Sequence, residues 1–260
     1  MGGVVFDFSG KSVLVTGASR GIGYGIAEGF ARAGADLTIL ADDAPVETAA
    51  AKLAALAGRP VKALRCDIAD REAVRRAFGA LPRIDVLINN AGLERITPID
   101  EPGAAVEAVF RRIVDINVMG TYFVTRDALP KIPRGGRIIF TSSIWSRTSA
   151  AEFGAYVATK HAVLGFMRTL AKELGPRGIG VNAVGPGWVR TDASMLSLRR
   201  MSERGGRSEQ SILDDLSNAQ SLPGLMQPAD IAELYLFLAS DAARNITGQA
   251  YGIDRGEVQV

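Results

Sequence analysis

Short apolar runs alternate with helix-like patterns along the whole chain, and this alternation constrains the fold more than any other feature. Each run is four to six residues long and rich in Val, Ile or Leu, as in the buried strands of parallel sheets. The pattern predicts one doubly wound α/β domain over residues 1–260, with right-handed crossovers between parallel strands. The seven predicted strands occupy residues 12–15, 37–40, 61–64, 84–88, 137–141, 179–184 and 249–253.

Composition excludes several classes of protein. Lys and Arg total 30 against 28 Asp and Glu, so no basic surface for nucleic acid or membrane is expected. Cys66 and His161 are the only residues of their types, which excludes an internal disulfide and predicts no metal site. The first ten residues lack the pattern of a secretory signal, and no apolar run is long enough to span a membrane. These features favour a cytoplasmic protein.

A glycine-rich turn follows the first predicted strand. Residues 16–23 read Thr-Gly-Ala-Ser-Arg-Gly-Ile-Gly, and apolar residues then recur at helical spacing. Glycines let the backbone approach a ligand, and the free N–H groups at a helix start attract anions. The turn is therefore a predicted pyrophosphate site, although three glycines in a tight turn also have a purely structural explanation.

Tyr156 and Lys160 are four residues apart within a helical pattern at residues 155–174. This spacing stacks the two side chains on one face of a helix. An ammonium beside a phenol favours the phenolate and lowers the tyrosine pKa, which suits the phenol to proton transfer at a carbonyl or alcohol oxygen. The same spacing is common on helix surfaces, so its meaning depends on the other motifs.

Glycines or polar residues follow most of the predicted strands. In parallel α/β sheets, ligands bind beyond the carboxyl ends of the strands. These residues are therefore expected around a single cleft: the turn at 16–23, Asp42, Asp67, Asn89-Asn90, Ser143 and Pro186-Gly187.

Taken jointly and in this order, the motifs resemble the short-chain dehydrogenase/reductase family in its single-domain form. The resemblance covers nearly the whole chain and implies a Rossmann-type fold and hydride transfer between NAD(P) and a secondary alcohol or ketone. The motifs that carry it are T-G-x-x-x-G-x-G at 16–23, N-N-A-G at 89–92, Asn117, Ser143, Tyr156-x-x-x-Lys160 and Pro186-Gly187-x-Val189-x-Thr191.

The resemblance also implies residue roles. Tyr156 would be the acid/base and Ser143 would hold the substrate oxygen. Lys160 would bind the nicotinamide ribose and lower the Tyr156 pKa, and Asn117, inside a long helix predicted at 106–128, would support a proton relay. A homotetramer is implied as well. The implied cofactor contacts are Gly17, Ser19, Arg20, Ile22, Asp42, Asp67, Ile68, Asn89, Ala91, Gly92, Tyr156, Lys160, Pro186, Gly187, Val189 and Thr191.

Two features bear on the choice of cofactor. Asp42 and Asp43 follow the second strand, where a carboxylate accepts hydrogen bonds from the adenosine ribose and repels a 2′-phosphate. Arg20 opposes them, because a basic residue at this position often accompanies NADP in the family. Two carboxylates outweigh one flexible arginine near solvent, so NAD is predicted in preference to NADP.

The irregular segment 188–227 precedes the last helix and strand, and it is predicted to be a lid over a small-molecule substrate. Trp145 and Trp188 would form platforms for a sugar or polyol, or simply pack in the wall. The predicted substrate pocket consists of Glu94, Trp145, Phe153, Trp188 and Met195.

Two alternatives to a sugar or polyol oxidoreductase stay open. A 3-oxoacyl-[acyl-carrier-protein] reductase uses the same chemistry, but the aspartates fit its usual NADPH poorly. Its acidic carrier would meet the arginines of the segment, which are Arg199, Arg200, Arg204 and Arg207. A non-catalytic NAD(P)-binding sensor or scaffold is the alternative from another class, and the presence of both Tyr156 and Lys160 counts against it.

Overall fold

Seven parallel strands form one sheet in the order β3-β2-β1-β4-β5-β6-β7. The computed structural model describes residues 6–259, so part of the segment considered for a secretory signal lies outside the described residues. The predicted strand number, direction and fold class are confirmed. The strands are β1 Ser12–Thr16, β2 Asp36–Ala41, β3 Lys62–Arg65, β4 Val86–Asn89, β5 Arg137–Thr141, β6 Gly180–Pro186 and β7 Ala250–Ile253.

Helices cover both faces of the sheet, because alternate strand residues point to opposite sides. Val13 and Val15 of β1 belong to an apolar cluster under α1, α2 and α9, whereas Leu14 belongs to the cluster on the other face. The helices are α1 Gly21–Arg32, α2 Pro45–Ala57, α3 Arg71–Gly79, α4 Ala104–Val114, α5 Thr121–Ala128, α6 Gly154–Leu174, α7 Asp192–Gly205, α8 Glu209–Asn218 and α9 Ala232–Ala239.

The predicted long helix at 106–128 is present but contains a wide turn. Residues Asp115–Gly120 form a π-helical segment between α4 and α5. Such turns add a residue to the local spiral and often occur at functional sites. Asn117 lies in this segment and is buried, so the irregularity coincides with a predicted catalytic residue.

The predicted irregular segment at 188–227 is largely helical, which corrects the sequence interpretation. It contains α7 and α8, and each begins at a hydroxyl side chain that accepts from a backbone N–H. Thr191 Oγ1 accepts from Ser194 N at 3.1 Å, and Ser208 Oγ accepts from Ser211 N at 3.2 Å. The two helices pack on a small apolar cluster of their own, which includes Trp188, Leu198 and Ile212. Few apolar residues mark this cluster, so the helical periodicity is weak.

No helix within residues 6–259 has both the length and the apolar character that crossing a membrane requires.

A close contact at Gly120 generates a stability prediction. A Cβ at Gly120 would lie 2.6 Å from Ile68 Cγ1, whereas a Cβ at Gly165 in α6 meets nothing within 4 Å. We expect Gly120→Ala to lower the free energy of unfolding by roughly 1–3 kcal/mol through overpacking. Gly165→Ala should raise it by up to about 1 kcal/mol through helix propensity.

Urea unfolding measures the free energy of unfolding of both variants, and the dependence of that free energy on urea concentration should stay unchanged. Gly165→Ala is the matched control. Equal stability of the two variants would contradict the overpacking at Ile68.

Candidate active site

A cleft of about 540 Å³ opens at the carboxyl ends of the strands. The switch in strand order between β1 and β4 lies beneath it, the usual ligand position in this architecture. Most of the predicted site residues line it: Gly17, Ser19, Arg20, Ile22, Asp42, Asp67, Ile68, Ala91, Gly92, Glu94, Ser143, Trp145, Tyr156, Lys160, Pro186, Gly187, Trp188, Val189 and Thr191.

The glycine-rich turn at β1 presents bare backbone to the cleft. Gly17 has a φ of +66°, and a Cβ there would lie 2.7 Å from Ala91 Cα. The N-cap of α1 is Arg20, whose side chain makes no capping hydrogen bond. The first N–H groups of a helix have no partner within the helix, so these donors face the cleft. The turn fits the pyrophosphate of a dinucleotide.

Asn90 ties this turn to the end of β4. Its Nδ2 donates to the carbonyl oxygens of Thr16 at 3.0 Å and Gly17 at 3.2 Å. In return, Thr16 Oγ1 accepts from the backbone N–H groups of Asn90 and Ala91, both at 3.0 Å. Asn90 was expected at the cleft as one of the paired asparagines, although the predicted cofactor contacts named only Asn89.

The predicted cofactor contact of Asn89 is corrected. Its side chain is buried and does not line the cleft, because successive strand residues point to opposite sides. Asn89 Nδ2 donates instead to Thr125 Oγ1 of α5 at 3.0 Å.

Tyr156, Lys160 and Ser143 meet at the centre of the cleft. Tyr156 and Lys160 share one face of α6, with Lys160 Nζ 5.3 Å from the centre of the tyrosine ring. Lys160 is buried, and its Nζ donates to the carbonyl oxygen of Thr141 at 2.8 Å. Ser143 follows β5, and its Oγ accepts from Trp145 N at 3.2 Å.

Burial dominates the electrostatics of this group. It raises the pKa of the Tyr156 phenol well above its usual value, and the negative charge of Glu94 raises that pKa further. A hydrogen bond with the Ser143 hydroxyl acts in the opposite direction. Burial also lowers the pKa of Lys160 to about 8, with Glu94 opposing. The direction is therefore opposite to the predicted lowering of the tyrosine pKa, because burial of the phenol itself is the largest cause.

Asn117 fixes the chain that follows β4. Its Oδ1 accepts from Leu93 N at 2.7 Å, and its Nδ2 donates to Leu93 O and to Thr159 Oγ1, both at 3.0 Å. A Cβ on the adjacent Gly92 would meet both Asn117 Oδ1 and Lys160 Nζ within 4 Å. The π-helical turn thus brings Asn117 to the catalytic group, where both ends of its amide are engaged with protein atoms.

The substrate end of the cleft contains three of the five predicted pocket residues. Glu94, Trp145 and Trp188 line it, whereas Phe153 and Met195 do not. Phe153 is buried behind Trp145, with ring centres 4.9 Å apart, and Met195 packs on the apolar cluster of α7 and α8. Both were predicted from their apolar character, which suits core packing equally well.

Glu94 connects the cleft to α7. Its carboxylate accepts a hydrogen bond from Ser197 Oγ, and burial raises its pKa. Arg95 beside it and Glu257 near the end of the chain also line the cleft. The sequence analysis missed these two residues and Ser197, since no motif marks them and their positions depend on tertiary packing.

The ribose edge of the cleft has an uneven charge distribution. Arg20 forms an ion pair with Asp43, whereas Asp42 is exposed and lines the cleft. Asp67 Oδ2 accepts from Arg112 Nη2 at 2.7 Å. Asp42 is thus the carboxylate on this edge that is available to a ribose.

Comparisons with known proteins agree with this geometry. A family model described as Enoyl-(Acyl carrier protein) reductase matches residues 17–257. D-xylose 1-dehydrogenase of Caulobacter vibrioides is 36% identical over 96% of both chains. A short chain dehydrogenase from Burkholderia cenocepacia, solved in complex with NADP, is 32% identical with a TM-score of 0.84 over 96% of this chain and 98% of its own.

L-sorbose reductase from Gluconobacter frateurii, solved with NADPH and L-sorbose, is 27% identical with a TM-score of 0.89 over 99% of this chain and 100% of its own. Its similarity extends over the sheet, the cleft and the two helices that follow β6. The family model and these relatives span the glycine-rich turn, the Ser143–Tyr156–Lys160 group and the C-terminal strand alike. The chain belongs to the short-chain dehydrogenase/reductase family and transfers a hydride between a nicotinamide dinucleotide and an alcohol or ketone.

Proposed function

We propose that the substrate is a sugar or polyol, oxidised or reduced at a secondary carbon. The observation that carries this proposal is the polar lining of the substrate end. Trp188 lines the cleft, and its buried Nε1 has no hydrogen-bond partner within residues 6–259. Glu94 lines the same cleft, and its carboxylate is a hydrogen-bond acceptor. Donors and acceptors in an aromatic wall suit neighbouring hydroxyl groups, and two relatives are named for sugars.

The residues of the chain supply the proton chemistry. When bound, the nicotinamide gives or takes the hydride at the substrate carbon. In the reducing direction, the carbonyl oxygen receives the Tyr156 proton while Ser143 donates a hydrogen bond to the same oxygen. Lys160 stands behind the phenol, where its charge favours the phenolate that remains. The raised pKa of Tyr156 keeps the phenol protonated before reaction.

The assay is a panel of pentoses, hexoses, ketoses and alditols, together with hydroxysteroids and 3-oxoacyl thioesters. Absorbance of the reduced nicotinamide is followed with each cofactor. We expect turnover to concentrate among the polyhydroxylated compounds, because only they use both Glu94 and Trp188. A clear preference for the steroid or the thioester would overturn the proposal.

The arrangement of arginines does not favour an acyl-carrier substrate. Most of the arginines on α7 and α8 that were considered for an acidic carrier already face carboxylates of this chain. An acidic partner would have to displace these ion pairs, which reduces the gain from binding.

NAD is proposed in preference to NADP. The ion pair with Asp43 neutralises much of the attraction that Arg20 would exert on a 2′-phosphate, and Asp42 still repels one. Arg65 is a second positive charge near Asp42, but it is exposed and does not line the cleft. Both solved relatives described above contain NADP or NADPH, as do other similar structures, so kcat/KM with each dinucleotide decides between the two.

The cofactor preference is tested by kcat/KM with each dinucleotide. The wild-type protein should favour NAD by at least about tenfold, which corresponds to ~1.4 kcal/mol. Asp42→Arg should narrow or invert the preference by replacing a repulsive group with a phosphate partner. Asp43→Asn should release Arg20 and improve NADP alone.

Asp36→Asn is the matched control, because Asp36 is exposed at the other end of the same strand. Better turnover of wild type with NADP would mean that Asp42 does not face the ribose.

The role of Tyr156 is tested by removing its hydroxyl. Tyr156→Phe should lose more than about nine-tenths of kcat while the dissociation constant of the dinucleotide stays nearly unchanged, since the phenol acts on the reacting oxygen. Tyr24→Phe, in α1 outside the cleft lining, is the control. Lys160→Ala should weaken both turnover and cofactor binding. A Tyr156→Phe protein with more than a tenth of wild-type kcat would exclude the acid/base assignment.

The segment 188–227 is proposed to be a lid that is mobile before ligand binds. Limited proteolysis near Gly206, at the end of α7, compares the free protein with the protein saturated by cofactor and substrate. Equal cleavage in both states would contradict a lid.

A cytoplasmic homotetramer is proposed as the assembly. Phe110 of α4, Met119 of the π-helical segment and Tyr122 of α5 are exposed apolar side chains, and they suit a contact between copies. Light scattering coupled to size exclusion measures the mass, and a monomer at micromolar concentration would overturn the assembly. Fractionation of the source cells tests the location.

A further inference from the structure

Arg200 differs from its neighbours Arg199, Arg204 and Arg207. Arg199 faces Glu209 at 3.9 Å, and Arg207 faces Asp215 at 2.6 Å. Arg204 pairs with two carboxylates, those of Glu101 and Glu152, at 3.0 and 2.9 Å. Within residues 6–259, Arg200 has neither an ion pair nor a side-chain hydrogen bond, although it is only partly exposed.

Arg95 is the second guanidinium without a carboxylate partner. It lines the cleft next to Glu94 and is half-buried. Its one hydrogen bond among the described residues runs from Nη1 to the carbonyl oxygen of Glu94 at 2.7 Å. Most of its five N–H donors thus remain available to a ligand.

Arg95 lines the cleft, and Arg200 lies outside that lining on the part of α7 that contacts Glu94. Ser197 donates to the Glu94 carboxylate, and Arg200 lies three residues further along α7, on the same face of the helix. Burial lowers the pKa of Arg95, and the charge of Arg200 lowers it further. Repulsion between two like charges raises the free energy of the unliganded protein, and an anion bound between them would relieve it.

We propose that the cleft takes a polyhydroxy acid, with the substrate carboxylate bound by Arg95 and Arg200. This inference rests on the proposed function and narrows its substrate class from sugars and polyols to sugar acids. The carboxylate meets the guanidinium of Arg95 in the cleft wall and that of Arg200 from α7, a geometry that favours paired N–H···O contacts. The hydroxyl groups of the substrate then face Glu94 and Trp188.

The local charge favours a carboxylate over a phosphate ester. Among the three charged side chains of the proposed subsite, the guanidinium groups of Arg95 and Arg200 and the ionised carboxylate of Glu94 leave one net positive charge. That charge matches a monoanion, whereas Glu94 would repel the second charge of a phosphate.

The reaction stays within the established activity. A secondary alcohol of the acid loses a hydride from carbon to the oxidised nicotinamide and a proton from oxygen to Tyr156. The products are the keto acid and the reduced nicotinamide, and the carboxylate is unchanged.

The experiment compares matched acids and alditols on the full-length protein. Five- and six-carbon aldonates, including D-gluconate, are tested against the alditols of the same configuration and against D-glucitol 6-phosphate. Turnover gives KM and kcat separately, and calorimetry with bound dinucleotide measures binding of D-gluconate whether or not it reacts. Acids should bind at least about tenfold more tightly than their alditols, with an advantage that falls as salt rises.

Arg95→Gln and Arg200→Gln should each raise the KM or dissociation constant of the acids about tenfold or more, while kcat and the KM of alditols change little. Arg199→Gln is the matched control, since Arg199 is the neighbour on α7 and faces Glu209. It should leave every constant unchanged. Circular dichroism confirms that the variants are folded.

The outcomes separate the two proposals. Turnover of alditols with no advantage for acids overturns the acid subsite and leaves the sugar or polyol function standing. Tight D-gluconate binding that Arg95→Gln abolishes, without turnover of any sugar, polyol or acid, supports the subsite and overturns the proposed function. A preference for D-glucitol 6-phosphate over the acids rejects the carboxylate in favour of a phosphate.

Discussion

The hydrogen bonds between Asn90 and the end of β1 hold the cleft together. Two neighbouring parallel strands end side by side here, and their chains separate to opposite faces of the sheet. The Asn90 amide and the Thr16 hydroxyl bind the backbone on both sides of this separation. Because Gly17 has no side chain that would fix it, this junction supports the turn that is proposed to bind the dinucleotide phosphates. The start of α1 and the chain leading to Glu94 both leave from it.

Burial sets the chemistry of the catalytic group more strongly than the spacing of its charges does. Lys160 is withdrawn from water and held by the Thr141 carbonyl, so its ammonium is easier to deprotonate than a surface lysine. Tyr156 is buried beside it and holds its proton firmly. The protein alone is thus prepared to donate a proton. Proton abstraction from an alcohol requires a further stabilisation of the phenolate, which a ligand-filled cleft with less water can provide.

The sequence predicted what depends on local pattern. Strand runs, the glycine turn and the spacing of Tyr156 and Lys160 indicate the fold and most of the cleft wall, because each is a local consequence of backbone geometry. Asn89 was predicted to contact the cofactor, but Asn90 is the asparagine at the cleft. A shift of one residue along a strand reverses the direction of the side chain. Phe153 and Met195 failed for another reason: an apolar residue near a site packs behind it as readily as into it. The direction of the Tyr156 pKa shift depends on burial of the phenol, which the spacing of Tyr156 and Lys160 does not reveal.

Helix α7 links the cofactor end of the cleft to the substrate end. Its N-cap, Thr191, lines the cleft near the predicted carboxamide contacts, and Ser197 reaches Glu94 two turns later. An α-helix rises about 1.5 Å per residue, so Thr191 and Arg200 are separated by roughly 13 Å along one rigid element. A displacement of α7 that loosens Thr191 therefore also shifts Ser197 and Arg200. The ion pairs of Arg204 with Glu101 and Glu152 oppose such a displacement from the far end of the helix. The proposed cofactor and substrate contacts thus share one helix, which the ion pairs of Arg204 attach to Glu101 and Glu152.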